Sequence, residues 1–152
     1  MGSRRDRRVL ELAAPMMQPG ETPEVISMAK VGSVRQVFGE SVALGLATAV
    51  LSGGTMFSIT AQRELYLLLT DRQLMFFEAD PSTGGPRKAL LGVPRGQVAI
   101  TEPTGGFLVK FELHVHGWDR ALTLSMPPIP PSMRKKGLRL LAGLPRLQAA
   151  PA

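Results

Sequence analysis

Two apolar runs, Tyr66–Leu69 and Leu74–Phe77, flank a short polar break at Thr70-Asp71-Arg72. On a helix, those runs would spread apolar side chains around every face of a short segment. Leucine favours a helix, but the break supplies the side-chain oxygens that stabilise tight turns. The pattern therefore predicts two antiparallel strands. The same grammar recurs along the chain. Glu24–Val31 alternates with apolar residues on both faces and predicts a strand. Lys88–Val93, Gln97–Glu102 and Arg120–Met126 predict further short strands, separated by Pro94-Arg95-Gly96, Pro103–Gly106 and Gly117-Trp118-Asp119. Phe107–His116 alternates most cleanly, with Phe107, Val109, Phe111, Leu113 and Val115 on one face and Leu108, Lys110, Glu112, His114 and His116 on the other. Several short strands at even spacing, with glycine-bearing turns, indicate a β-sandwich or barrel.

Helical patterns are fewer. Arg4–Glu11 suits either a short helix or a mobile arm, and the stretch PMMQPGETPE reads as linker, so residues 1–20 form a basic tail and linker. From Val34 to Leu51 small residues dominate, which predicts a helix ended by Gly53-Gly54. This gives a small-residue insertion over 34–60. After PPIPPS, where proline cannot donate to a ladder, Ser132 is placed as an N-cap. A helix over 132–145 follows, with Met133, Leu138, Leu141 and Leu144 approximating one apolar side, Leu140 widening it, and basic residues mainly opposite. Residues 21–145 then make one domain, and 146–152 a tail.

Composition sharpens this picture. The chain has 152 residues, 44% hydrophobic and 20% charged, enough for one globular domain. It has no cysteine, which excludes disulfides, thiolate metal sites and cysteine nucleophiles. The net charge of +6 is unevenly placed. Residues 1–20 carry four arginines against two acids, and residues 126–152 carry five bases and no acid, leaving the middle close to neutral. That is a domain with two cationic ends. The run Val9–Ala14, broken by Glu11, is too short for a signal peptide, and Ser52-Gly53-Gly54-Thr55 interrupts the one stretch long enough to suggest a membrane span. A cytoplasmic setting is expected.

At LLLTDRQLMFFEAD and LLGVPRGQVAITEPTGG the chain resembles the bacterial PH-like domains, especially uncharacterised actinobacterial proteins with a TDRRL hairpin. A later strand in those proteins reads like IPLSQI, which Val93–Val98 imitates. The resemblance runs from about Glu21 to the C-terminal helix. It implies a mainly β fold: a bent seven-stranded barrel or sandwich with a C-terminal capping helix. Eukaryotic PH domains that bind phosphoinositides place several Lys/Arg around their first hairpin. Segment 32–64 here has only Arg35 and Arg63, balanced by Glu40 and Glu64, so headgroup binding at that site is not expected.

Glu112, His114 and His116 share a strand face, where one carboxylate and two imidazoles could converge on a metal. The competing account, a polar solvent-facing side, is the expected one, and no metal or other cofactor is assigned. No GxSxG occurs, and the paired glycines lack the lysine and helix of a phosphate loop. Trp118 in a turn is a candidate contact residue. Ala43 and Ala47 have the spacing that lets helices approach closely, a candidate self-association face. Arg134, Lys135, Lys136 and Arg139 are candidates for an anionic partner.

The leading expectation is a non-enzymatic PH-like binding or assembly module acting through protein–protein contact or self-association. The runner-up is a protein peripheral to the inner face of the membrane, held by the basic C-terminal helix. The third is weak nucleic-acid binding through the basic ends.

Overall fold

The structure, a computed structural model, describes residues 4–36, 64–105, 108–117, 120–127 and 131–147. Seven strands form one antiparallel sheet: β1 (Pro23–Gln36), β2 (Glu64–Thr70), β3 (Gln73–Ala79), β4 (Pro86–Pro94), β5 (Val98–Ile100), β6 (Val109–Val115) and β7 (Arg120–Met126). Their spatial order is β4-β3-β2-β1-β7-β6-β5. Helix α1 (Arg4–Ala13) precedes the sheet and α2 (Pro131–Ala142) follows it. The architecture is mainly β, one antiparallel sheet with a helix at each end of the chain. The sheet is not closed into a barrel; it folds over as a sandwich.

The hairpin forms as its pattern dictates, with Leu69 opposite Leu74 and Leu65 opposite Glu78. Thr70 Oγ1 accepts from the Arg72 and Gln73 backbone N–H groups at 3.1 and 3.0 Å. Asp71 latches the hairpin to the entry of β1, because its carboxylate accepts from the Thr22 N–H at 2.8 Å and its own N–H donates to the Thr22 carbonyl at 3.0 Å. Glu21 completes the junction by accepting from the Thr70 hydroxyl at 2.6 Å and from Gln73 Nε2 at 2.8 Å. Partial burial pushes the Glu21 pKa up, but the bonds from Thr70, Gln18 and Gln73 and the charge of Arg72 outweigh it and leave the carboxyl below its ordinary value. A depressed carboxylate stabilises the fold above its unfolded pKa, about 4.3, and that stability fades as pH falls through the folded value. Glu21→Gln should therefore lower the melting temperature at pH 7, with the gap from the parent closing below about pH 4. A gap that stays constant on acidification would refute the linkage.

β1 is the spine. Its first half pairs with β2 from Pro23 to Lys30, and its second half pairs with β7 from Lys30 to Gln36, with a register shift at Val31/Ser33. One strand thus belongs to both halves of the sandwich. Between the halves lies the main core, including Val31, Leu67, Phe76, Ile100, Leu113 and Leu124. Both sheet edges are managed. β4 carries Pro86 and Pro94 at its ends and Arg87 and Lys88 within it, devices that discourage strand addition. β5 is flanked by the segment after α2, where the Ile100 N–H donates to Pro145 O at 3.0 Å and the Leu147 N–H to Ile100 O at 2.6 Å.

Four expectations are corrected. Residues 1–20, read as tail and linker, include α1, whose Val9 and Ala13 are fully buried against Ile26, Leu68, Met75 and Phe77 on the sheet's second face. β2 and β3 are buried on both faces, so the second face needs a cover, and α1 is it. Val34–Gln36, expected to open a helix, extends β1; the remainder of that expected helix lies outside the described residues. On α2, Leu138 is 43% exposed, and the buried side is Gly137, Leu140, Leu141 and, just past the helix, Leu144. Gly137 is there for contact: a Cβ at that position would sit 2.6 Å from Met126 Sδ. Arg146 and Leu147, read as tail, lie along β5.

Candidate binding cleft

α1 and α2 are joined at Asp6, which lies in the first turn of α1 and is 7% exposed. Lys136 of α2 reaches it, with Nζ 3.1 and 3.3 Å from the two carboxylate oxygens. An acid in the first helical turn also complements the helix dipole. This contact joins segments 130 positions apart in sequence. It has a consequence for charge: Arg4, Arg5 and Arg7 share the turn with Asp6 and are exposed, and Lys135 and Arg139 flank Lys136 and are exposed. The contact thus brings the exposed bases at the start of α1 near those of α2.

A cleft of about 750 Å³ opens beside that ion pair. Met28 and Ala29 of β1, Tyr66 of β2, Met126 of β7 and Met133 of α2 supply its apolar lining. Arg5, Lys30 and Lys136 stand around it with Asp6 and Glu64. Lys30 and Glu64 are cross-strand partners in the β1–β2 register. The Tyr66 hydroxyl donates to Gly84 O at 2.5 Å. Burial raises its pKa, more than the nearby Arg5 guanidinium lowers it, so the phenol stays neutral.

The structure separates the candidates named from sequence. His114 Nε2 lies 2.7 Å from Glu112 Oε1, both side chains largely covered. His116 is exposed in the turn after β6, its backbone N–H donating to Gln97 O. Among the described residues no group of three His, Cys, Asp or Glu side chains is placed to hold a metal. Lys136 is committed to Asp6, and Arg134 is half-buried and engaged within the fold, which leaves Lys135 and Arg139 as the exposed bases of that set. Trp118, Ala43 and Ala47 lie outside the described residues. Arg5, Asp6, Met28, Lys30, Tyr66, Met126 and Met133 were not singled out as a site by sequence. Their one legible signal was Asp6, an acid amid four arginines.

No protein-family model matches this chain, and no curated protein does. Among solved structures it is similar to a pleckstrin homology domain from Shewanella amazonensis, at 12% identity and a TM-score of 0.41, over 86% of this chain and 96% of that one.

Proposed function

We propose that the chain is a non-enzymatic PH-like binding module that docks on an anionic membrane surface through the face where α1 and α2 meet. The observation that carries this reading is the Asp6–Lys136 contact, which brings the basic start of α1 beside the basic stretch of α2 next to an apolar cleft. Three partner classes were expected, and the arrangement weighs them. A protein partner added as a strand finds β4 guarded by prolines and charges and β5 already flanked. Single-stranded nucleic acid calls for stacked aromatic platforms, and among the described residues the cleft is lined by one aromatic side chain, Tyr66. A membrane supplies the combination present, negative charge next to hydrocarbon. Among the described residues no helix is long and apolar enough to cross a bilayer, and the reading is of a peripheral protein on the inner face. The adaptor reading retains one support, since the same cleft could take apolar side chains of an acidic partner segment.

Co-sedimentation with vesicles containing phosphatidylserine tests this. Binding should appear at low salt, fall with ionic strength, and be absent on phosphatidylcholine alone. Each Lys/Arg near an anionic surface contributes about 1 kcal/mol, so Lys135→Gln/Arg139→Gln should weaken binding about 30-fold. Arg4→Gln/Arg7→Gln should do the same from the other helix. Both pairs are exposed, so neither should shift the melting temperature much. Absence of binding at low salt, or binding indifferent to both pairs, would overturn the reading.

A further inference from the structure

The exposed bases explain attraction to a charged surface but not the cleft beside them. The cleft's size lies within the roughly 300–1,000 Å³ of small-molecule sites, which are typically apolar with a few polar groups at defined places. Its lining is rich in methionine, with Met28, Met126 and Met133 drawn from three separate elements. Methionine is flexible and polarisable, and it adapts to an apolar guest without a fixed shape. The ionised groups around it are three cations and two carboxylates. Asp6 is bound by Lys136, which leaves Arg5 and Lys30 against Glu64, so the surplus charge is positive. Apolar depth with a positive mouth matches a molecule that has a hydrocarbon chain and an anionic head.

We propose that this cleft holds the hydrocarbon chain of an anionic lipid, its acidic head at the mouth by Arg5 and Lys30. The proposal rests on the membrane-surface reading and gives it a chemical partner. Docking would begin on the exposed arginines and lysines and be completed by one chain leaving the bilayer for the cleft. Flat adsorption alone would depend on charge only; this site would also select for an alkyl chain.

Dodecanoate, below its micellar concentration, is the probe, and the methionine methyl groups are the reporters. In protein labelled with ¹³C-methyl methionine, titration should shift Met28, Met126 and Met133. Met75, fully buried, and Met16, at the end of the short 3₁₀ helix after α1, should stay in place. Met133→Trp fills the cleft and should weaken binding at least tenfold. Ser132→Trp, on the exposed first turn of α2, gives a second blocking variant should the first fail to fold. Arg5→Gln/Lys30→Gln should weaken dodecanoate but not dodecanol. Shifts spread over Met16 and Met75, no saturable shift, or equal affinity for dodecyltrimethylammonium would overturn the proposal. So would an acidic amphipathic peptide that shifts the three methyls when dodecanoate does not, since the cleft would then belong to a protein partner. Vesicle binding separates the two ideas. Vesicles bound without a response to dodecanoate sink the cleft alone; dodecanoate bound in the cleft without any vesicle binding sinks the surface reading.

Discussion

Arg95→Ala is expected to cost about 3 kcal/mol of stability and to lower the melting temperature by roughly 6–12 °C. The side chain leaves the turn between β4 and β5 and ties three parts of the molecule together. Its Nε and Nη2 donate to the Gly143 carbonyl at the end of α2, at 3.1 and 2.8 Å. Its Nη1 donates to the Thr70 carbonyl at 2.9 Å and to Glu24 at 3.0 Å. Bonds from a charged donor are each worth about 1.5–3 kcal/mol, and truncation also leaves the two carbonyls without this donor. The guanidinium is 27% exposed and Glu24 is 42% exposed, so the carbonyl bonds should dominate over the ion pair, which water screens. Glu24→Ala should therefore cost less than about 1 kcal/mol. Arg95→Lys should recover little, because an ammonium cannot present the planar fork that reaches both carbonyls. Chemical denaturation of the three variants checks the ranking. Equal losses for Glu24→Ala and Arg95→Ala would show that the ion pair, rather than the carbonyl bonds, carries the effect.

Arg95 also marks where sequence reasoning stops. A lone arginine between proline and glycine reads as turn, and turn it is; nothing in the local pattern says that three partners, 25, 48 and 71 positions away, will converge on it. The hairpin was legible for the opposite reason, since Thr70 and Asp71 satisfy backbone groups within a few residues of themselves and of the β1 entry. The strand alternation of β6 was legible because one face is core and the other polar. The role of α1 was half legible. Apolar residues on both sides of β2 and β3 required a second cover, but only the pairing of β1 with β2 reveals which segment lies over it. The cleft was not legible at all, because its lining comes from five elements and its defining contact spans nearly the whole chain. The apolar side of α2 was misjudged for a plainer reason. Leu138, Leu140 and Leu141 spread over a broad arc of the helix, and with Gly137 packed close to Met126 Leu138 falls on the exposed flank.

That placement gives the sharpest comparison in the molecule. Leu141→Asp should abolish cooperative folding, whereas Leu138→Asp, three residues earlier on the same helix, should leave the melting temperature nearly unchanged. Leu141 is 1% exposed within the main core, beside Leu140 and Leu144. Removing a buried leucine side chain costs about 2–5 kcal/mol by itself. An unpaired carboxylate in its place adds several more, or forces the group to take up a proton. Together these approach the roughly 5–15 kcal/mol that a domain has in all. Leu141→Ala keeps the experiment quantitative if the aspartate variant cannot be purified, with an expected loss of about 2–5 kcal/mol. Leu138 is 43% exposed, and surface substitutions of that kind usually stay within about 0.5 kcal/mol. Its neighbours on the exposed side are Lys135 and Arg139, so the same substitution places an acid and removes an alkyl group among those bases. Leu138→Asp should thus weaken vesicle binding while the protein remains folded, separating the two sides of one helix into a structural and a docking role. A well-folded Leu141→Asp protein would refute the first, and a Leu138→Asp protein that sediments with anionic vesicles as the parent does would count against the second.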